Sequence, residues 1–126
     1  MDGTARLAGP VIARLARSRA PVWIAAHGLH ADLSVWLARV LGTAWPQLRW
    51  DCTDRAEALQ RWQVDLWLVD SLPDPPSSRP VLWLCGPERH TRLTRVSPLV
   101  WELPAPILRR SLVAAVETVI ASGESA

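Results

Sequence analysis

Short apolar runs alternate with helically spaced hydrophobic positions along most of this chain. Residues 21–26 (PVWIAA), 64–70 (VDLWLVD) and 81–86 (VLWLCG) are nearly continuous hydrophobic runs, the signature of strands buried on both faces. Residues 48–52 (LRWDC) are more polar, as suits an edge strand, and 98–103 (PLVWEL) read as a fifth strand. Leu33, Trp36, Leu37, Val40 and Leu41 recur at i, i+3, i+4, i+7 and i+8. That spacing predicts a helix capped by Asp32 and closed near Gly42. Asp54 and Glu57 have the form of a capping box opening a helix to about Trp62. Residues 107–122 predict a long helix with Leu108, Leu112, Ala115, Val116 and Val119 facing the core. Residues 71–80 hold four of the eleven prolines and exclude a regular helix. The polar stretch 87–97 predicts at most one or two irregular helical turns.

Five strands interleaved with helices predict an α/β fold with a parallel sheet and helices on both faces. No repeat or linker divides residues 20–123, which read as one domain followed by a tail, 124–126. Residues 1–19 form an extension in which Leu7, Val11 and Leu15 align beside Arg6, Arg14 and Arg17, predicting a short amphipathic helix. Each strand carries one tryptophan: Trp23, Trp50, Trp67, Trp83 and Trp101. All but Trp50 read as core residues in a chain with no Phe or Tyr.

At VDLWLVDSLP (64–73) the chain resembles the receiver domain of bacterial two-component response regulators. There the third strand ends in the phosphoacceptor aspartate, with a proline shortly after; Asp70 and Pro73 match, the proline coming one residue earlier than usual. The resemblance covers about residues 20–123 in strand order, lengths and final helix. It implies a flavodoxin-like, doubly wound, five-stranded parallel sheet of order 2-1-3-4-5 whose functional edge is the carboxyl ends of the strands. The third helix is missing, because only the ten residues 71–80 join strands three and four.

The departures from that family carry more information than the match. Receivers hold Mg²⁺ with an acidic pair after strand one; here those positions read Ala26 and His27. A hard divalent ion needs oxygen ligands, and alanine supplies none. The hydroxyl position ending strand four reads Cys85, and the lysine position after strand five reads Leu103 before Pro104. No lysine elsewhere substitutes, since all 14 basic residues are arginine. Phosphoryl transfer depends on charge neutralisation by metal and cation. Asp70 is therefore expected to be a relic, with no catalytic residue, metal or cofactor beside it. The implied function is a phosphorylation-independent pseudo-receiver: a non-enzymatic signalling or assembly module acting through protein contacts, of the kind that often begins a larger regulator.

Composition narrows the alternatives. At 126 residues with a net charge of only +2, one domain is expected and a polyanionic nucleic-acid partner is not. No phosphate loop, dinucleotide fingerprint or zinc motif is present. No run approaches the ~18 apolar residues of a membrane span, and no signal peptide opens the chain, so a cytoplasmic location is expected. Cys52 and Cys85 fall three strands apart in the expected order, too far for a disulfide. The rival reading is a small-ligand or enzymatic domain using His27, Asp51, Asp70 and Cys85 at the sheet edge. The expected interface, to a protein partner or in a homodimer, lies within residues 87–122. Arg89, Arg92 and Arg95 would share one helical face there. Ile107, Val113 and Ile120 look surplus to the core, and Arg109, Arg110 and Glu117 would form a charged rim.

Overall fold

The computed structural model describes residues 21–84 and 92–124, and it is α/β. In chain order the elements are β1 (Val22–His27), α1 (Ala31–Ala44), β2 (Leu48–Thr53), α2 (Ala58–Arg61), β3 (Leu66–Val69), β4 (Val81–Leu84), β5 (Thr94–Ser97), β6 (Val100–Leu103) and α3 (Arg109–Glu124). The expected extension 1–19 and its amphipathic helix lie outside the described residues, as do Cys85, Arg89 and His90.

The sheet has six strands in the order β2-β1-β3-β4-β6-β5, where five in the order 2-1-3-4-5 were expected. The difference is β5. Its partner β6 runs antiparallel to it, while the other neighbours are all parallel. Pro98 and Leu99 belong to the tight turn between them, so the last parallel strand begins at Val100. Thr94 and Val96, both β-branched, favour extended backbone in a polar segment that hydrophobic patterning could not flag. Arg92 and Arg95 accordingly share no helical turn, because Arg95 sits in a strand opposite Trp101. As an edge, β5 is short, bulged between Arg95 and Ser97 and guarded by an arginine, devices that discourage further strand pairing.

The two faces of the sheet are covered unequally. On the first, Ile24, Leu66, Leu68, Leu82 and Leu84 meet Leu37 and Leu41 of α1 and Leu112 and Val116 of α3. On the second, the described residues that pack against Ala25, Trp67, Val69 and Val81 include α2, Val64 and Trp62, and the only helix among them is α2. Trp62 lies stacked between Trp23 and Trp67 at 5.7 Å centroid distances on each side. The Arg49 guanidinium caps the Trp23 ring 3.9 Å from its centroid. Large rings thus supply the cover that a longer helix would otherwise give. The proline-rich segment 71–80 contains no helix and is tied back by polar contacts. Gln60 Nε2 donates to the Pro75 and Pro76 carbonyls at 3.2 and 2.9 Å, and Arg79 Nε donates to the Val64 carbonyl at 2.7 Å.

Local expectations are corrected at the helix ends. His30, not Asp32, caps α1: its Nδ1 accepts the Asp32 backbone N–H at 3.2 Å. The helix passes through Gly42 to Ala44 and ends where the Trp45 N–H reaches the Leu41 carbonyl. Trp45, only 4% exposed, is a core residue that its place beyond the helix concealed. The Asp54–Glu57 capping box does not form; the Arg55 N–H bonds the Thr53 hydroxyl at 3.1 Å, and α2 has a single turn. At the other end of the chain, α3 extends through Glu124, so the expected tail begins later.

Among the tryptophans, Trp67 is fully buried, whereas Trp23, Trp83 and Trp101 are half-buried. Gly28, which turns the chain after β1, has φ +70°, a conformation that costs a side-chain-bearing residue about 1–2 kcal/mol. A Cβ there would meet nothing within 4 Å, so that backbone cost is the whole penalty. Gly28→Ala should therefore lower stability by about 1–2 kcal/mol in denaturant unfolding.

Candidate functional site

The carboxyl edge of the parallel strands is where an open α/β sheet usually places its chemistry. His27 ends β1, in register with Thr53 on one side and Val69 on the other. Its ring stands edge-on to Trp67 at 6.4 Å, and its Nε2 is buried without a hydrogen-bond partner. Asp51 lies two residues before the end of β2, opposite Ala25 rather than His27. Its Oδ2 accepts the Trp23 indole N–H at 2.8 Å and Arg49 Nε at 3.1 Å. The carboxylate is thus committed to holding the outer strand and the ring stack.

Asp70 stands exposed one residue beyond β3. Its backbone carbonyl accepts the Trp83 indole N–H at 3.1 Å, and Arg79 pairs elsewhere, not with it. Among the described residues no group of three His, Cys, Asp or Glu side chains is placed to hold a metal ion. His27, Asp51 and Asp70 are not brought together. Ala26 is 1% exposed on the helix-covered face, and Leu103 is 4% exposed in the same cluster. Both side chains therefore belong to the hydrophobic packing and offer no polar group to the sheet edge. Cys52 is exposed and free, its sulfur 3.1 Å from the Trp50 indole nitrogen.

Three residues of the expected interface take part in core packing. Ile107, Val113 and Ile120 are half-buried and pack against the main core, so they are not surplus. α3 packs on the sheet beside α1, so its apolar face meets two neighbours. Leu108, expected in the core, is 54% exposed, because α3 begins one residue later at Arg109. Ser111 fixes that start: its hydroxyl accepts the Leu108 N–H at 3.0 Å and donates to the Leu108 carbonyl at 2.9 Å. Beside Leu108 opens a groove of about 390 Å³ lined by Arg92, Leu93, Leu103, Pro104, Ala114 and Thr118 among others.

A second apolar groove of about 420 Å³ lies between the proline-rich segment and the β5–β6 turn, with Leu72, Val81 and Leu99 in its wall. It overlies the thinly covered face of the sheet. Pro104 and Pro106, which delay the start of α3, were the sequence signals for the first groove; the short crossover 71–80 was the signal for the second.

Glu102 was also missed. It faces Trp83 and Thr94 across its neighbouring strands, is 3% exposed, and leaves Oε1 without a partner. No helix of the described residues is long and apolar enough to cross a membrane. Compared with family models, with characterised proteins and with solved structures, the chain gives no match.

Proposed function

We propose that this chain is a degenerate, receiver-like domain that works by protein contact and without phosphoryl transfer. The observation that carries the reading is the open apolar groove beside Leu108, between the end of β6 and the first turns of α3. Leu108 is a large aliphatic side chain more than half exposed at the mouth of a concave apolar surface. Such a patch, rimmed by charge, is what a partner's side chain fills. The contact surface lies within residues 92–122, with Leu108 in the place first given to Val113 and Ile120.

Three further features support the reading. The parallel strands run β2-β1-β3-β4-β6, and α1 and α3 lie on the same face, an arrangement compatible with a flavodoxin-like sheet. Ala26 and Leu103 serve the core, and Asp51 serves the ring stack. The rival reading, a ligand or catalytic site at the carboxyl edge, has less support, since His27, Asp51 and Asp70 point to separate partners or to none.

Two baits separate these readings. Wild-type, Leu108→Ser and Asp70→Asn proteins are used to capture partners from the source cells, quantified by mass spectrometry. A partner retained by Asp70→Asn and lost with Leu108→Ser is the expected result. Retention by Leu108→Ser with loss in Asp70→Asn would place the function at the sheet edge.

A further inference from the structure

The geometry points to a specific class of partner for the Leu108 groove: a short aliphatic segment flanked by aspartate or glutamate, carried by a different protein. This inference rests on the interaction-module reading and adds the chemistry of the occupant. The groove itself is apolar, with Leu93, Leu103 and Pro104 in its lining, so aliphatic side chains fill it with the least loss of hydration.

Among the described residues, the exposed charges around the groove carry one sign. Arg92 lines the groove, and Arg109 and Arg110 directly follow Leu108; all three are exposed. Arg95 is held on the same flank, its Nη2 donating to the Pro98 carbonyl at 2.7 Å and its guanidinium 5.2 Å from the Trp101 ring centroid. Residues 92–122 contain two acids: Glu102, buried on the opposite face of the sheet, and Glu117, half-buried. The ion pairs seen between described residues, Arg49–Asp51 and the longer His30–Asp32 contact, do not engage Arg92, Arg109 or Arg110. Arg109 and Arg110 also open a helix of 16 residues, whose N-terminal dipole has the same sign as their charge.

Charge excludes the other occupants. A second copy docked about a twofold axis would bring the arginine rims of both chains together, a like-charge arrangement that opposes association. Residues 1–20 carry Arg6, Arg14, Arg17 and Arg19 against the single acid Asp2, a net charge of the same sign as the rim. An acidic segment from another protein gains on both counts, with arginine supplying forked hydrogen bonds to carboxylates.

The test is selection of random short peptides on the full chain, followed by affinity measurements at low and high salt. Enriched peptides should combine aliphatic residues with Asp or Glu. Their affinity should fall on the order of tenfold or more in the Arg92→Glu/Arg110→Glu double variant and in Leu108→Ser, and should weaken as salt is raised. These positions are exposed, so unchanged melting of each variant separates lost contact from lost folding. Peptides without acidic bias, or whose binding survives the charge reversal, overturn the partner chemistry and leave the module reading standing. A dimer in light scattering that Leu108→Ser dissociates assigns the groove to a second copy and likewise overturns the inference. A monomer that enriches no peptide overturns both.

Discussion

Replacing Trp67 with alanine should destabilise the protein by about 3–5 kcal/mol, the range for deleting a large aromatic from a packed interior. Trp67 is fully buried in the middle of β3, stacked on Trp62 at 5.7 Å with the His27 ring edge-on at 6.4 Å. Among the described residues, the helix on the thin second face is α2, with only four residues to relax into the vacated space. Removing the ring therefore leaves a cavity and frees Trp62 on one side. The indole N–H of Trp67 makes no hydrogen bond, so it contributes nothing that phenylalanine would lose. Trp67→Phe should thus cost clearly less than Trp67→Ala in equilibrium denaturation. Equal losses in the two variants would mean that the ring stack does not hold this face.

Leu112→Ala should cost about 2–5 kcal/mol, whereas Leu108→Ala, four residues earlier, should change stability by no more than about 0.5 kcal/mol. Leu112 is fully buried with Leu37 and Leu41 of α1 and the central strands, where shortening leaves a void. Leu108 is 54% exposed just ahead of the helix and supports no packed layer. The chemistry of the two substitutions is identical, so the difference reports burial alone. It also separates the residue that holds α3 from the residue proposed to meet a partner. A loss at Leu108 comparable to that at Leu112 would place Leu108 in the core and remove the main support for the interface.

The parts of the fold that were legible in the sequence are those that burial dictates. β1, β3 and β4 must be apolar on both faces, and α1 and the latter part of α3 must carry a continuous stripe, so runs and spacing reveal them. β5 and α2 were not legible for the complementary reason. β5 is a four-residue edge strand whose side chains are largely exposed, and hairpin geometry, not hydrophobicity, holds it against β6. The polar signals near α2 went to a local turn, in which the Thr53 hydroxyl accepts the Arg55 N–H.

The candidate site was legible only in part. The sequence locates Ala26, Asp70 and Leu103 at the sheet edge and argues that they lack the chemistry of phosphoryl transfer. It counts Val113 and Ile120 as surplus because periodicity registers apolar positions without knowing how many neighbours a helix has. Val113 and Ile120 look surplus against one sheet but are used once α1 lies alongside. Leu108 looks internal until the prolines and Ser111 move the helix start past it.

Intact-mass analysis after treatment with acetyl phosphate and Mg²⁺ tests most directly whether the domain works without phosphoryl transfer. Asp70 is exposed and within reach of such a donor, but Ala26 and Leu103, near the ends of β1 and β6, are buried apolar residues, and no group among the described residues is placed to hold a metal ion. The mass should remain that of the unmodified chain. A stable phosphoryl adduct that disappears in Asp70→Asn would contradict the account.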